Sequence, residues 1–227
     1  MNILICGMPR SGSSLLWGLI YICLKLKFNK DDVIMDLVFN YNSLPSNNKH
    51  YVLKIHECND DSYKNSMKFK ELRKWADLII ITKRDIRACY NSLIKKKLKA
   101  NKSHFKYFDD TSNKISSLEF DGKTEEICSF ITYNCFNKWK DRTEIDYEFV
   151  YENYMNNQNK EISNLKNLLG IQNISNEEII KNFDNLKNKW VNNTNHMTSS
   201  NYVDFLDLEK EIINKIEKDF NDFCYLN

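Results

Sequence analysis

The sequence predicts an α/β fold in which helices flank a central parallel sheet. Three observations carry that expectation. An all-apolar run near the start, "NILIC", leads directly into a glycine-bearing loop, "GMPRSGSS", and then into helical spacing. A second apolar run, "DLIIIT" at 77–82, is again followed by a helical pattern. Strand-like and helix-like segments then alternate along most of the chain, as they do when crossover helices join parallel strands.

The elements follow in order. "NILICG" reads as a strand buried on both faces. Residues 13–27 read as a helix with Leu15, Leu16, Leu19, Ile20 and Cys23 on one face. "YVLKIH" (51–56) is the second strand, and a polar, helix-prone stretch covers 60–75. "DLIIIT" is the third strand and feeds a helix over 86–98. Residues 99–123 are polar and aperiodic, as expected of a surface excursion or lid. A long amphipathic helix is predicted over 124–142, capped by Thr124, with Glu125 and Glu126 in its first turn. "IDYEFVYEN" is the fourth strand, and further helices are expected at 157–169, 175–188 and 204–222. Amphipathic core positions account for most of Trp17, Trp75, Trp139 and Trp190. All 227 residues fit one domain, with no internal repeat.

The net charge of +2 supplies no global attraction for nucleic acid, so anion binding must come from local features. The seven cysteines (Cys6, Cys23, Cys58, Cys89, Cys128, Cys135 and Cys224) contain no C-x-x-C pair, and no His/Cys spacing suits a metal. They read as reduced core thiols, which favours a reducing compartment. With no signal peptide and no apolar run long enough to span a bilayer, the expectation is a soluble, cytoplasmic protein without membrane partners.

Ligands of open α/β sheets bind at the carboxyl ends of the strands, and the chemically unusual residues all follow strands. The loop "GMPRSGSS" aims backbone N–H groups and the positive end of a helix at one spot, a ready anion site. Ser13 and Ser14 can add hydroxyl donors there. A tight strand-to-helix turn with Ser11 or Ser13 as helix cap is the structural alternative. A triphosphate-hydrolysing loop would carry lysine after Gly12 and a carboxylate ending a nearby strand. Here Ser13 stands in the first place and Lys83–Arg84 in the second, so a metal-free anionic ligand suits the site better.

"PRSGSSLLW" resembles the 5′-phosphosulfate-binding loop of the sulfotransferases that use 3′-phosphoadenosine 5′-phosphosulfate (PAPS). The family pattern there is P-[KR]-[ST]-G-[ST]-[ST]. The resemblance implies a P-loop-like sulfotransferase fold, PAPS as co-substrate and no metal. It assigns donor binding to Pro9, Arg10, Ser11, Gly12, Ser13, Ser14 and Leu15, and gives Arg10 the task of countering charge on the departing phosphate.

Two further segments add to it. In "IIITKRDIRACYNSLIKK", Arg84 at the strand end and Ser92 eight residues on match the family's 3′-phosphate motif. Physically, Arg84 can grip a phosphate with both prongs, and Ser92 lies about two helical turns along the same groove. The structural alternative is a surface "KRD" turn in which Asp85 pairs with Arg87. "YVLKIHE" resembles the family's K-x-H strand end. Alternation puts Lys54 and His56 on one face, where a neutral imidazole can take an acceptor's proton and an ammonium can neutralise charge. Carboxylates at Glu57, Asp31, Asp32 or Asp36 are the alternative base.

"FVYENYMNN" resembles the segment whose tyrosine approaches the adenine, which implicates Tyr151. The late Arg-Lys-Gly loop of the family has no counterpart in "NNTNHMTSSNY", where Ser199 and Ser200 stand as phosphate contacts and His196 as a further candidate. The resemblance thus implies a sulfotransferase acting on a small-molecule or glycan acceptor, with His56 as base and Lys54 and Arg10 stabilising charge. A P-loop small-molecule kinase and a non-catalytic nucleotide-binding module are the competing readings.

Overall fold

In the computed structural model the described residues are 1–38, 43–56, 69–99, 124–193, 205 and 208–226, with backbone alone at 95–99 and 191–193. They form a five-stranded, all-parallel sheet built from β1 (Asn2–Gly7), β2 (Val33–Leu37), β3 (His50–Lys54), β4 (Leu78–Lys83) and β5 (Tyr147–Val150), in the order β2-β3-β1-β4-β5. β1 is central because both of its faces are apolar. Ile3 and Ile5 enter one core with Val52 and Ile80, while Leu4 and Cys6 enter the other with Leu53, Ile79 and Ile81.

Helices cover both faces. α1 (Ser13–Lys27), α6 (Tyr151–Asn156), α7 (Gln158–Leu169) and α8 (Asn176–Asn193) lie on the Ile3 side. On the Leu4 side lie α2 (Phe69–Trp75), α3 (Ile86–Lys99), α4 (Thr124–Ser129), α5 (Lys138–Arg142) and α9 (Lys210–Asp219). The chain leaves β1 toward β3 and β2, then crosses to the other side of β1 to make β4. That reversal opens a crevice at the carboxyl end of the central strand.

Several sequence expectations are corrected. The sheet has a fifth strand, β2, in the segment after the first helix. The amphipathic helix over 124–142 is one helical run, but Phe130–Asn137 winds as a π-helix between α4 and α5. The last predicted helix is shorter, Lys210–Asp219, and is followed by a 3-10 turn at Asn221–Phe223. The excursion expected at 99–123 lies, from 100 on, outside the described residues, as does 60–68 of the helix-prone stretch. Among the described residues no helix is long and apolar enough to cross a membrane. The six described cysteines carry free thiols, and five of them are buried.

Candidate active site

The loop between β1 and α1 is held in its shape from below. Gly7 ends the strand at φ +103°, and a Cβ there would come within 2.5 Å of the Thr82 carbonyl oxygen. Met8 N–H donates to that same oxygen at 3.1 Å. Arg10 adopts a left-handed φ of 66°, a conformation that costs a non-glycine residue free energy and is retained where the surroundings impose it. The Ser11 hydroxyl lies buried against Met8 O and, at 2.6 Å, Thr82 Oγ1, whose own hydroxyl donates to Cys6 O at 3.0 Å. It therefore braces the loop from inside, leaving the backbone of this residue as what a ligand could meet. Gly12 sits at φ +82°, and a Cβ there would strike the Tyr151 ring at 2.3 Å. Its carbonyl accepts the Leu16 N–H at 3.0 Å, so α1 starts at Ser13 with its amino end facing the crevice. Pro9 is buried, and Leu15 turns its side chain into the core beneath.

Three distant segments meet this loop. From β3, Lys54 Nζ donates to Ser14 Oγ at 2.9 Å and lies 4.6 Å from the centroid of the Trp17 ring. Two residues on, His56 Nδ1 lies 3.1 Å from Gly7 O and its Nε2 lies 3.4 Å from Ser13 Oγ. A carbonyl can only accept, so in the neutral ring Nδ1 carries the proton and Nε2 presents its lone pair toward the loop. Trp139 Nε1 donates to His56 O at 2.9 Å and fixes the chain just beyond the strand.

From β4 and α3, Arg84 Nη1 donates to Arg10 O at 3.2 Å, and Arg10 Nε donates to Ser92 Oγ at 3.1 Å. The predicted partners Arg84 and Ser92 thus come together, and both meet Arg10. Burial pulls the Arg10 guanidinium below its ordinary range. From the start of α6, directly after β5, Tyr151 lies over Gly12 and under the Arg84 guanidinium, whose carbon is 4.4 Å from the ring centroid. Burial raises the Tyr151 phenol.

The "KRD" segment is not a surface turn. Arg84, Asp85 and Arg87 are all buried. Asp85 does pair with Arg87, at 2.8 Å, but its Oδ2 also accepts Tyr225 N–H at 3.0 Å and Leu226 N–H at 2.9 Å. Glu152 Oε1 accepts the Asp85 N–H at 3.2 Å and lies 3.9 Å from Arg84 Nε. Sequence reasoning passed over Asp85, Glu152 and Tyr225 as members of the site, and the only local signal was the acid beside each predicted ligand residue.

Of the alternative bases, Asp31 and Asp32 precede β2 at the opposite end of the sheet, roughly 16 Å from its carboxyl edge by strand rise. Asp36 stands in register with Leu53, on the other face from Lys54, and accepts the Leu37 N–H at 2.8 Å. Glu57, His196, Ser199 and Ser200 lie outside the described residues.

No protein-family model and no curated protein sequence matches the chain. Solved structures do. Retinol dehydratase in complex with androsterone and the inactive cofactor PAP matches with a TM-score of 0.53 at 12% identity, covering 100% of this chain and 82% of its own. Retinol dehydratase with retinol and PAP matches with a TM-score of 0.52 at 14% identity over the same shares. At such identity the likeness is one of fold, and that fold is the P-loop-like sulfotransferase fold that the sequence predicts.

Proposed function

We propose that the chain transfers the sulfuryl group of PAPS to a hydroxyl or amine of an acceptor, in line and without a covalent enzyme intermediate. One observation carries the reading. Arg84 and Ser92 bond Arg10 from one side of the loop, while Lys54 and His56 reach Ser14 and Ser13 from the other. These are the segments of the sequence resemblance, joined at one crevice. The two solved structures of like fold hold PAP, the adenosine 3′,5′-bisphosphate that such a transfer leaves behind.

In this reading the loop amides and the amino end of α1 hold the 5′-phosphosulfate, with Ser13 and Ser14 as hydroxyl donors. Arg84 and Ser92 hold the 3′-phosphate, with Ser199 and Ser200 proposed beside them, and Tyr151 forms a wall for the adenine. Bound PAPS supplies an activated sulfuryl group with a phosphate as leaving group. His56 Nε2 takes the acceptor's proton as the acceptor atom bonds to sulfur. As the bond from sulfur to the bridging oxygen breaks, the charge left on that oxygen is met by Lys54 and by Arg10. The Arg10 Nη groups are not spent on its bond to Ser92, and a cation already penalised by burial gains from an incoming anion.

We place the reaction in the cytoplasm, where thiols such as those of the described cysteines stay reduced. The acceptor is taken to be a small molecule or a glycan; androsterone and retinol, held by the neighbours in fold, are small alcohols. The test is thermal denaturation with each nucleotide. At one hundred times its dissociation constant a ligand adds about 2.7 kcal/mol, or roughly 5–10 °C for a chain of this size. Adenosine 3′,5′-bisphosphate is expected to give that shift and ATP with magnesium none; the reverse order sinks the donor assignment and favours a kinase.

A further inference from the structure

We propose that Tyr225 is a positioning residue for Arg84. Acting through Glu152, it aims the guanidinium assigned to the 3′-phosphate and so sets the preference for a 3′-phosphorylated nucleotide over one without that group. The inference rests on the donor assignment made above.

Glu152 directly follows the tyrosine that lies against Arg84, and it is buried. Its two oxygens are divided between two tasks. Oε1 accepts the Asp85 N–H at 3.2 Å and faces Arg84 Nε at 3.9 Å, while Oε2 accepts the Tyr225 hydroxyl at 3.2 Å. The phenol thereby fixes the rotation of the carboxylate. Tyr225 is itself anchored by its backbone, since its N–H and that of Leu226 both donate to Asp85 Oδ2. Arg87 completes the strap by donating to Leu226 O, to Asp85 and to Glu217. Burial raises both the Tyr225 phenol and the Glu152 carboxyl, and at neutral pH the phenol remains a hydrogen-bond donor.

Arg84 is consequently oriented from three directions: Arg10 O at 3.2 Å, the Tyr151 face at 4.4 Å and the Glu152 carboxylate at its Nε edge. A carboxylate free to rotate would form a two-pronged pair with the guanidinium, the arrangement a phosphate also needs. With the Tyr225 hydroxyl holding Oε2, that closure is prevented and the Nη edge stays turned toward the loop. In a low-dielectric cluster such a change of partner is felt strongly.

The test compares calorimetric binding of adenosine 3′,5′-bisphosphate and of adenosine 5′-phosphate to the full chain and to its Tyr225→Phe variant. The variant is expected to lose about tenfold in affinity for the bisphosphate, the size of one hydrogen bond to a charged group, and to bind the monophosphate as before. KM for PAPS should rise by the same factor while kcat stays. An unchanged preference, or an equal loss for both nucleotides, overturns the inference, the latter by showing a merely structural role. If Tyr225→Phe does not fold, Glu152→Gln carries the test: Arg84 loses the carboxylate that aims it, and a preserved preference is again the overturning result. A wild-type chain with no preference for the bisphosphate overturns the donor assignment itself, and the inference with it. A wild-type preference that survives Tyr225→Phe overturns the inference alone.

Discussion

On one flank of the loop, Arg84, Asp85, Arg87, Ser92 and Glu152 are all buried and their charges are matched among themselves. On the other, Lys54 and His56 are half-buried and reach the loop at Ser14 (2.9 Å), Gly7 O (3.1 Å) and Ser13 (3.4 Å). The difference suits the two tasks. Burying a charge is costly unless partners are fixed in place, and the first flank is held by such partners, as the proposed anion anchor requires. A group that must accept a proton and release it needs partners it can leave, and a 3.4 Å contact to Ser13 is such a partner. In the proposed reading, binding falls to the buried, mutually paired flank and chemistry to the half-buried one.

The largest expected effect breaks the half-buried flank. His56→Ala should lower kcat by about a thousandfold, within the usual share of a general base, while affinity for adenosine 3′,5′-bisphosphate stays within about twofold. Steady-state rates and calorimetry on the one variant separate the two; full turnover would move the base to another group. Arg84→Lys tests the buried flank and should do the opposite. Lysine keeps the charge but loses the fork that spans Arg10 O, Tyr151 and a phosphate. Affinity for the bisphosphate should fall about ten- to a hundredfold, with a smaller change in kcat. A loss confined to kcat would mean that the two flanks are not divided as described.

The same contrast governs what the sequence disclosed. β1 and β4 were legible because strands buried on both faces leave unbroken apolar runs, and their observed bounds fall within a residue of the predicted ones. β2 was not: it is a five-residue edge strand, half-buried and interrupted by Asp36, pairing with β3 alone. The π-helical stretch at Phe130–Asn137 keeps the amphipathic look of an α-helix, so nothing marked it. In the site, the loop and the Arg84–Ser92 pair could be read because their spacing is set by one strand, one turn and one helix. Asp85 was passed over as a member of the site because the partners that hold its carboxylate, the Tyr225 and Leu226 amides, come from 140 and 141 residues away. Local spacing reveals what a backbone turn positions, and it is silent on a charge cluster assembled from four segments.

Ser92 stands where the two flanks touch, which makes its removal the finest of these tests. Its hydroxyl accepts the Arg10 Nε–H at 3.1 Å, and Arg10 is the loop residue to which a charge-stabilising part in catalysis is assigned. If Ser92 served only the 3′-phosphate, alanine there would raise KM for PAPS and leave kcat alone. Through Arg10 it should do more, because a guanidinium released from that bond spends less time beside the departing phosphate. We expect Ser92→Ala to lower kcat/KM about fivefold, the worth of one ordinary hydrogen bond, with part of the loss in kcat. A change confined to KM would place Arg10 wholly with the anchor and leave Lys54 as the cation that meets the leaving group.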